Sequence, residues 1–373
     1  MKVLFFANTD WYLYNFRLGL ARFLRERGTE VVMMSPYGAY GPRIEAAGFR
    51  WFPLPMDRRS LNLISELTLL RQISEVFRTE KPDVIHNFTI KCVVYSSLVA
   101  RWLGISRRIN AVTGLGHVFI SDSPQARLLR PLVKSLLRFA LGGSGSRLIL
   151  QNPDDVRLFT ALGLVGAERI RLIRSSGVDT LHFTPFERER DGPFRVLLAS
   201  RLLWEKGIRE YIVAAERLGS RVRGVEFLLA GVSDPGNPAA VPEADIAQWD
   251  EAGVVKVLGH VEDMARLMHT VDLVVLPSYR EGAPKGLIEA AAMGLPIITT
   301  DAPGCREVVD DGVNGFLVPV GDATALSDRI EYLLNTSDVC RRFGAAGRKK
   351  VLEEFDERIV FRKTYAVYQE LRG

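Results

Sequence analysis

The chain has 373 residues, of which 47% are hydrophobic and 25% charged, an ordinary globular composition that suffices for roughly two domains of about 100–200 residues. No apolar run reaches the roughly 18–20 residues that a membrane-spanning helix needs, and the first apolar run ends at Asn8, too early for a secretory signal. Cys92, Cys305 and Cys340 are odd in number and are not spaced as metal ligands, so we expect a reduced, cytoplasmic protein.

The charge is divided unevenly along the chain. Residues 1–185 hold 25 Lys and Arg against 14 Asp and Glu, whereas the remainder holds 24 against 30. A basic half joined to an acidic half favours an anionic partner for the first half, either nucleic acid or an anionic membrane surface. The alternative is a chance excess on solvated helix faces.

The first half alternates short β-rich runs with helical segments. The first helical segment carries Phe16, Leu20, Phe23 and Leu24 at helical spacing and stops at Gly28. Strands that alternate with helices predict βαβ units and a parallel, doubly wound sheet. The predicted strands span residues 3–8, 30–35, 50–55, 83–88, 108–113, 147–152 and 170–173.

Residues 174–193 lose this periodicity and carry Gly, Pro and a charge run, which is typical of an interdomain linker. The alternation then restarts, and a helical tail follows from Leu326 to Arg372. Two open parallel sheets predict a cleft between them, with ligands at the carboxyl ends of the strands. The second set of strands spans 194–200, 225–231, 254–259, 273–277, 296–300 and 315–320, with helices around 207–219, 262–269, 284–293 and 323–335.

The segment YREGAPKGLIEAAAMG, residues 279–294, follows one of these strands. Pro284 suits the first helical position and Gly294 the end of the helix, which places Glu281 in the loop and Glu289 in the second turn. The amides of residues 282–287 then form a seat for a phosphate, and each carboxylate can accept from a diol. That pattern indicates a nucleotide sugar. The alternative is a dipole-complementing glutamate and a surface glutamate.

Arg201 and Lys206 stand five residues apart after the strand 194–200. Both side chains can reach a pyrophosphate at the same strand ends, and such a pair neutralises a leaving diphosphate without a metal. Two solvated cations are the alternative reading of this pair.

These motifs together resemble the retaining glycosyltransferases of family 4, which have the GT-B fold of two Rossmann-like domains. The residues that carry the resemblance are Arg201, Lys206-Gly207, VDLVVLPSYREG, the pair Glu281 and Glu289, GLPIITTDAPGCREVV and DGVNGFLV. The resemblance implies an acceptor-binding domain over residues 1–185, onto which a helix at about 357–373 packs back. It implies a nucleotide-sugar domain over 186–356.

The resemblance also implies roles for individual residues. Arg201 and Lys206 are expected on the diphosphate of a UDP-sugar, Glu281 with the backbone of Gly282–Lys285 on the sugar hydroxyls, and Glu289 on the ribose. The implied donor-binding set is Arg201, Lys206, Glu281, Gly282, Ala283, Pro284, Lys285, Leu287 and Glu289.

The first half is similar to the branch that elongates sugars on polyprenyl (undecaprenyl) diphosphate. The segments NTDWYLYNFR, HNFTIKCVVYSSLVAR and INAVTGLGHVF carry this likeness. The chain departs from many family members in having no glycine after its first strand until Gly19, which puts the usual backbone cradle for the donor phosphate in doubt.

Several polar residues of the first half follow strands of the basic domain. We expect Asn15, Arg17, Thr89 and Lys91 to hold a lipid-linked diphosphate, and Asp10 to serve as an acceptor-side base.

Among the five histidines, His117 has the clearest functional context. It follows Gly114 and Gly116 after a strand, so it is expected to face the cleft and contact a donor hydroxyl or the reacting acceptor oxygen. We therefore count it with Arg201, Lys206 and Glu281 as catalytic. His86 ends another strand and is a weaker candidate. The remaining histidines are expected to be structural: His182, His260 and His269.

Residues 125–141 place basic side chains between leucines at spacings of three to four, which favours an amphipathic helix lying on a membrane surface. An ordinary half-buried surface helix is the alternative. Pro131 indicates that the helix starts or kinks there. The basic residues are Arg127, Arg130, Lys134 and Arg138.

The implied reaction is a same-face displacement in which UDP leaves and the acceptor hydroxyl enters with retention. No Asp-x-Asp motif is present, so we expect no metal and no cofactor. A hexose or N-acetylhexosamine is the expected sugar, and the inner face of the cytoplasmic membrane is the expected location.

The alternative functions are a glycosyltransferase with a soluble acceptor, a UDP-sugar 2-epimerase or a phosphorylase. A dinucleotide oxidoreductase is disfavoured because neither first strand of this chain leads into a G-x-G-x-x-G motif. A nucleic-acid binder or an inactive scaffold would leave the motifs of the second half unexplained.

Overall fold

The computed structural model describes residues 1–57, 62–112, 124–185, 192–234 and 236–372, without the side chains of 124–127 and 129. The chain forms two compact units, one of Met1–Ser176 with Val360–Gly373 and one of Gly177–Ile359. His117, Gly114 and Gly116 lie outside the described residues. In the part of the chain that is described, no helix is long and apolar enough to span a membrane.

The first unit contains a seven-stranded parallel sheet in the order β3-β2-β1-β4-β5-β6-β7. Its strands are β1 (Lys2–Phe6), β2 (Glu30–Pro36), β3 (Arg50–Leu54), β4 (Val84–Phe88), β5 (Arg108–Ala111), β6 (Ser146–Leu150) and β7 (Ile170–Leu172). Its helices are α1 (Asp10–Arg25), α2 (Gly41–Ala46), α3 (Leu63–Glu80), α4 (Ile90–Trp102), α5 (Pro124–Leu141) and α6 (Pro153–Ala161).

Local sequence explains these elements. Residues 3–6 of β1 are apolar and fully buried, as expected of a central strand covered by helices on both faces. Thr9 caps α1 by accepting from the amide of Tyr12. Helix α5 begins at Pro124 and runs through Pro131, so of the start or kink expected at Pro131 the start is not observed. Leu137 and Leu141 are buried, and this packing offsets the backbone hydrogen bond that a proline inside a helix lacks.

The second unit contains a six-stranded parallel sheet in the order β10-β9-β8-β11-β12-β13. Its strands are β8 (Phe194–Ala199), β9 (Val225–Ala230), β10 (Lys256–Gly259), β11 (Leu273–Leu276), β12 (Ile297–Thr300) and β13 (Gly315–Val318). Its helices are α7 (Ile208–Gly219), α8 (Glu243–Glu251), α9 (Met264–Met268), α10 (Lys285–Ala292), α11 (Ala323–Leu334) and α12 (Ser337–Lys350), followed by a π-helical turn at Val351–Phe355.

Both sheets have the strand order of a doubly wound fold, which confirms the predicted fold class. The last helix, α13 (Glu357–Glu370), returns to the first unit, where Val360, Phe361 and Tyr368 join the core beside β1. The first crossing between units lies at Ser176 and Gly177, earlier than the boundary predicted at 185. The reason is that Val178 and Phe183 pack into the core of the second unit.

Candidate donor and acceptor sites

The second sheet reverses its strand order between β8 and β11, and the predicted donor residues follow these two strands. The Nζ atom of Lys206 lies 2.6 Å from Oε1 of Glu281, and both side chains are more than four-fifths buried. The structure therefore joins two residues that are 75 positions apart in the sequence. A partly buried ion pair at a topological switch point places one cation and one carboxylate where ligands bind in such folds.

Backbone hydrogen bonds hold the loops of this site together. The amide of Tyr279 donates to the carbonyl of Glu205 and the amide of Glu281 to the carbonyl of Pro303, both at 2.9 Å. The hydroxyl of Thr300 donates to the carbonyl of Ser278. The loops after β8, β11 and β12 are thus cross-linked, which fixes Glu281 relative to Lys206.

Gly207 allows the first of these loops to turn into α7. Its φ angle is +74°, and a Cβ atom there would lie 2.1 Å from the carbonyl oxygen of Pro277. Only glycine fits a left-handed conformation with so close an approach of two backbones.

Helix α10 begins at Lys285 with Pro284 as its N-cap, one residue later than the sequence predicted. The N-terminus of a helix carries the positive end of its dipole, which is what a phosphate seat requires. Glu289 lies one turn further, with Oε1 3.6 Å from Nζ of Lys285. Burial raises the pKa of Glu289, and the nearby charges of Lys285 and His182 oppose that rise.

Arg201 is more than half exposed and pairs with Asp234 across 3.3 Å. Its guanidinium therefore stays accessible to a ligand. The pairing with Asp234 was not predicted, because that residue lies in a separate loop after β9.

Two neighbours of the donor residues were missed by sequence reasoning. His182, which was expected to be structural, lies close enough to Glu289 to act on its carboxyl group. Cys305 lies close enough to Glu281 for the carboxylate charge to act on it, and burial first and Glu281 second raise the pKa of its thiol to about 12. The thiol is therefore neutral and is no candidate nucleophile. No local sequence signal distinguishes either residue.

In the first unit, the carboxylate of Asp10 is buried and accepts three backbone hydrogen bonds. Its Oδ1 accepts from Trp11 at 2.8 Å, and its Oδ2 accepts from Tyr40 at 2.7 Å and from Gly41 at 3.0 Å. These bonds tie the start of α1 to the loop after β2, which favours a positioning role over that of the predicted base. Asn15 is exposed on α1 and donates to the carbonyl of Trp11.

Arg17 lies in α1 and is buried, although no carboxylate partner for it lies within the described residues. Its Nη2 donates to the hydroxyl of Tyr12 at 2.5 Å, and its guanidinium stacks 4.3 Å from the ring centre of Phe88. Burial first and the charge of Arg17 second hold the pKa of His86 well below its usual range. His86 is therefore neutral, and its Nδ1 lies 2.5 Å from the hydroxyl of Tyr368.

Thr89 and Lys91 lie where β4 passes into α4. Thr89 has φ +75°, rare for a residue other than glycine, and its buried Oγ1 has no hydrogen-bond partner by standard geometry among the described residues. Lys91 is mostly buried and its Nζ donates to the carbonyl of Asp57 at 2.7 Å and to Glu66 at 2.9 Å. The structure thus gives Lys91 a role in fastening the start of α3, and its predicted contact with a diphosphate stays a prediction.

Two family models match the chain. Residues 182–350 match the model described as "Glycosyl transferases group 1", and residues 2–146 match "Glycosyl transferase 4-like". Together they include the donor residues and most of the first unit.

Known relatives extend this likeness over the whole chain. N,N'-diacetylbacillosaminyl-diphospho-undecaprenol alpha-1,3-N-acetylgalactosaminyltransferase of Campylobacter jejuni is 26% identical, with 100% of this chain and 99% of the relative covered. The capsular polysaccharide biosynthesis glycosyltransferase CapM of Staphylococcus aureus is 25% identical over 94% of this chain and 92% of its own. Anabaena HepE, solved with UDP-glucose, superposes with a TM-score of 0.78 at 20% identity, covering 100% of this chain and 99% of that one. This last likeness confirms the predicted GT-B fold.

Proposed function

This chain belongs to the group 1 glycosyltransferases, and from that premise we propose that it moves a hexose or N-acetylhexosamine from a UDP-sugar to a polyprenyl-diphosphate-linked sugar, with retention of configuration. It is a glycosyltransferase of bacterial polysaccharide biosynthesis. The observation that carries the proposal for the donor is the ion pair of Lys206 with Glu281 at the switch point of the second sheet, beside the first turn of α10.

The donor diphosphate has three sources of positive potential in this arrangement. Lys206 supplies a charge beside Glu281, Arg201 has an accessible guanidinium, and the N-terminus of α10 supplies the positive end of a helix dipole. A leaving UDP gains charge in the transition state, so fixed cations and amides lower the barrier there. They perform the role that a metal has in other transferases, and we propose that the reaction is metal-independent.

The two glutamates suit the hydroxyl groups of the donor. Glu281 is held in place by Lys206 and by the hydrogen bond from its backbone amide to the carbonyl of Pro303, and its carboxylate is of the type that accepts hydrogen bonds from sugar hydroxyls. Glu289 is buried near the charge of Lys285 and can accept from the ribose diol. The UDP and UDP-glucose complexes of Anabaena HepE support a UDP-sugar over other donors.

The proposed step forms one bond and breaks one. The bond between the anomeric carbon and the diphosphate oxygen breaks, and the electron pair leaves with UDP. The acceptor hydroxyl oxygen bonds to the anomeric carbon on the same face, and its proton passes to the leaving phosphate oxygen. No side chain needs to attack the sugar.

The acceptor is proposed from the first unit. The relative from Campylobacter jejuni acts, by its name, on a diphospho-undecaprenol-linked sugar, and it matches the entire chain. The basic excess of residues 1–185 suits a diphosphate at an anionic membrane surface, where we propose that the protein works. Arg17, Thr89, Lys91 and, outside the described residues, His117 are the proposed acceptor contacts.

Transfer of label tests this function. Full-length protein would be incubated with single radiolabelled UDP-sugars and bacterial membranes in the presence of EDTA, and label would be measured in the butanol-extractable lipid. We expect acid-labile label from one donor, lost in Glu281→Ala and kept in Glu251→Ala, an exposed glutamate of α8.

Label from no donor, with UDP still bound, would overturn the lipid-linked acceptor and favour a soluble acceptor or a 2-epimerase. Label that requires added divalent metal would overturn metal independence.

A further inference from the structure

Helix α3 has apolar side chains on two faces. Leu69, Ile73 and Phe77 are buried against the sheet, as an amphipathic helix requires. On the outside of the first turns, Leu63, Ile64 and Leu67 are 79, 77 and 66% exposed. A single exposed leucine is ordinary, whereas three within two turns form a patch that is typical of a binding surface.

A groove between α3 and α4 continues this patch. It encloses about 480 Å³, and its apolar lining comes from Leu70, Leu98, Val99 and Trp102. Trp102 is the last residue of α4 and is 71% exposed. Tryptophan in such a position suits an interface between hydrocarbon and water, because its ring is apolar and its N–H is polar.

The groove also contains polar groups suited to an anion. Ser74 lines it and is 3% exposed, yet its hydroxyl has no hydrogen-bond partner among the described residues. Arg71 and Arg78 flank Ser74 one turn away on either side. Arg78 stacks 5.0 Å from the ring centre of Trp102, and Arg71 pairs at 2.9 Å with the exposed Glu75, which also lines the groove. An oxyanion at this place would accept from the serine and from both arginines.

The groove shares its side of the sheet with α5. Helix α4 packs between α3 and α5. On α5, Leu128 and Leu132 are exposed, and Phe139 is partly exposed beneath Arg101 of α4, which stacks 4.1 Å from its ring centre. The exposed apolar and basic side chains of the three helices therefore form one surface.

We propose that the outer surface of α3 and α4 binds an anionic phospholipid bilayer, with a hydrocarbon chain in the groove and a headgroup phosphate on Ser74, Arg71 and Arg78. This inference rests on the proposed function in one respect: a lipid-linked acceptor requires the protein at a membrane.

The charge of the surface favours an anionic bilayer as its partner. Arg71, Arg78 and Arg101 outnumber Glu75, the acidic residue that lines the groove, and an anionic leaflet attracts a positively charged surface at about 1 kcal/mol for each charge.

The surface has a consequence for the reaction. Leu63, Ile64 and Leu67 begin α3 at the carboxyl edge of the first sheet, where Thr89 and Lys91 begin α4. Lipid bound on α3 and α4 therefore brings this edge beside the headgroups, where the diphosphate of a lipid-linked sugar lies.

Vesicle flotation of the full chain tests the surface directly. We would compare vesicles of phosphatidylcholine alone with vesicles of three parts phosphatidylcholine and one part phosphatidylglycerol. The variants are Leu67→Ser with Trp102→Ser, and Arg71→Ala with Arg78→Ala. Leu352→Ser and Arg27→Ala are matched controls, because they remove an exposed leucine and an exposed arginine elsewhere.

We expect wild type and controls to float with the anionic vesicles, and each double variant to lose about tenfold or more in partition coefficient. Circular dichroism would verify that the variants are folded. Unchanged partition of both folded double variants, or its loss only in Leu128→Ser with Leu132→Ser on α5, would overturn the proposal. The proposal would also be overturned if light scattering showed a dimer for wild type and not for the groove variants, and wild type did not bind vesicles.

Fluorescence gives a second readout that does not depend on activity. Brominated lipids should quench the tryptophan emission of wild type, and Trp102→Phe should remove most of that quenching. Equal quenching in the two proteins would contradict insertion of Trp102.

A water-soluble, short-chain diphosphate-linked acceptor separates the two proposals. If the protein transfers sugar to this acceptor but does not bind vesicles, only the proposed membrane-binding surface is refuted. If it binds vesicles but transfers sugar from no UDP-sugar, only the proposed function is refuted.

Discussion

The hydroxyl of Tyr368 lies 2.5 Å from Nδ1 of His86, although 282 residues separate them. Tyr368 belongs to the last helix and His86 to the central strand β4 of the first unit, and both are buried. The bond therefore fixes the returning helix to the strand that leads to the predicted acceptor residues Thr89 and Lys91. Because burial and Arg17 hold the pKa of His86 well below its usual range, the neutral imidazole is the partner at physiological pH.

Replacing Tyr368 by Phe should destabilise the first unit. The change removes one hydroxyl and leaves Nδ1 of His86 buried without its partner, which costs about 1–2 kcal/mol. Thermal unfolding followed by circular dichroism would show a lower Tm. Tyr37→Phe is the control, since Tyr37 is exposed and should leave the Tm unchanged. An equal Tm for wild type and Tyr368→Phe would show that the bond contributes nothing.

A second attachment of the last helix should depend on pH. Glu370 bonds Arg171 through two atoms and also Arg147, and the hydrogen bond from Arg171 lowers the pKa of its carboxyl. A lowered folded pKa means that the contribution is present above the unfolded pKa of about 4.3 and is lost as pH falls through the folded value. Because Arg171 and Glu370 are each about one-third exposed, the contribution of their ion pair to the free energy of unfolding should be small.

The comparison that checks this is the Tm of wild type and Glu370→Gln from neutral to acid pH. Wild type should be the more stable near neutrality, and the two curves should converge below about pH 4. A difference that grows with acidity would contradict the assignment.

The ion pair of Lys206 with Glu281 leads us to expect a lower kcat when Lys206 is replaced. Lys206→Met should lower kcat about 10²- to 10³-fold, because it removes a charge that stabilises the leaving diphosphate. It also leaves Glu281 partly buried without its cation, so stability should fall as well. Steady-state rates with the UDP-sugar identified by label transfer would measure the first effect. Lys256→Met, at an exposed lysine of β10, should keep the wild-type rate.

The double variant Lys206→Met with Glu281→Gln separates the two effects. Its stability should recover relative to Lys206→Met, since no uncompensated charge remains, while kcat stays low. Full activity of the Lys206→Met variant would show that Lys206 does not stabilise the leaving diphosphate.

The sequence predicted the sheets better than the side-chain contacts. Every strand of both sheets falls on a predicted run, because strands buried on both faces are continuous in Val, Ile and Leu, as in β11 (Leu273–Leu276). The rule that ligand residues gather at the carboxyl ends of strands placed Lys206 and Glu281 at the same edge of the sheet, whereas their direct ion pair was not predicted.

The pairs that join distant elements were not predictable. Arg201 with Asp234, Lys91 with Glu66 and His86 with Tyr368 depend on loop paths and helix rotations that no local pattern encodes. At Pro131 the local rule left a helix start and a kink open, and the helix does not start there because it continues from Pro124 through Pro131.

Gly207 provides a direct test of the donor loop. Its φ is +74°, and a Cβ atom at this position would lie only 2.1 Å from the carbonyl oxygen of Pro277, so alanine must displace one of the two loops. Gly207→Ala should therefore destabilise the second unit by about 2 kcal/mol or more and weaken UDP binding, because Lys206 precedes the glycine.

Gly219→Ala is the matched control for this change. Gly219 ends α7, has an ordinary φ, and offers open space to a Cβ atom. Alanine there should raise stability slightly, by about 0.5–1 kcal/mol, since it favours the helix. Thermal unfolding and calorimetric titration with UDP would be run on both variants. Opposite signs in stability and a loss of UDP affinity only in Gly207→Ala are expected, whereas equal UDP affinity would show that the donor loop tolerates the shift.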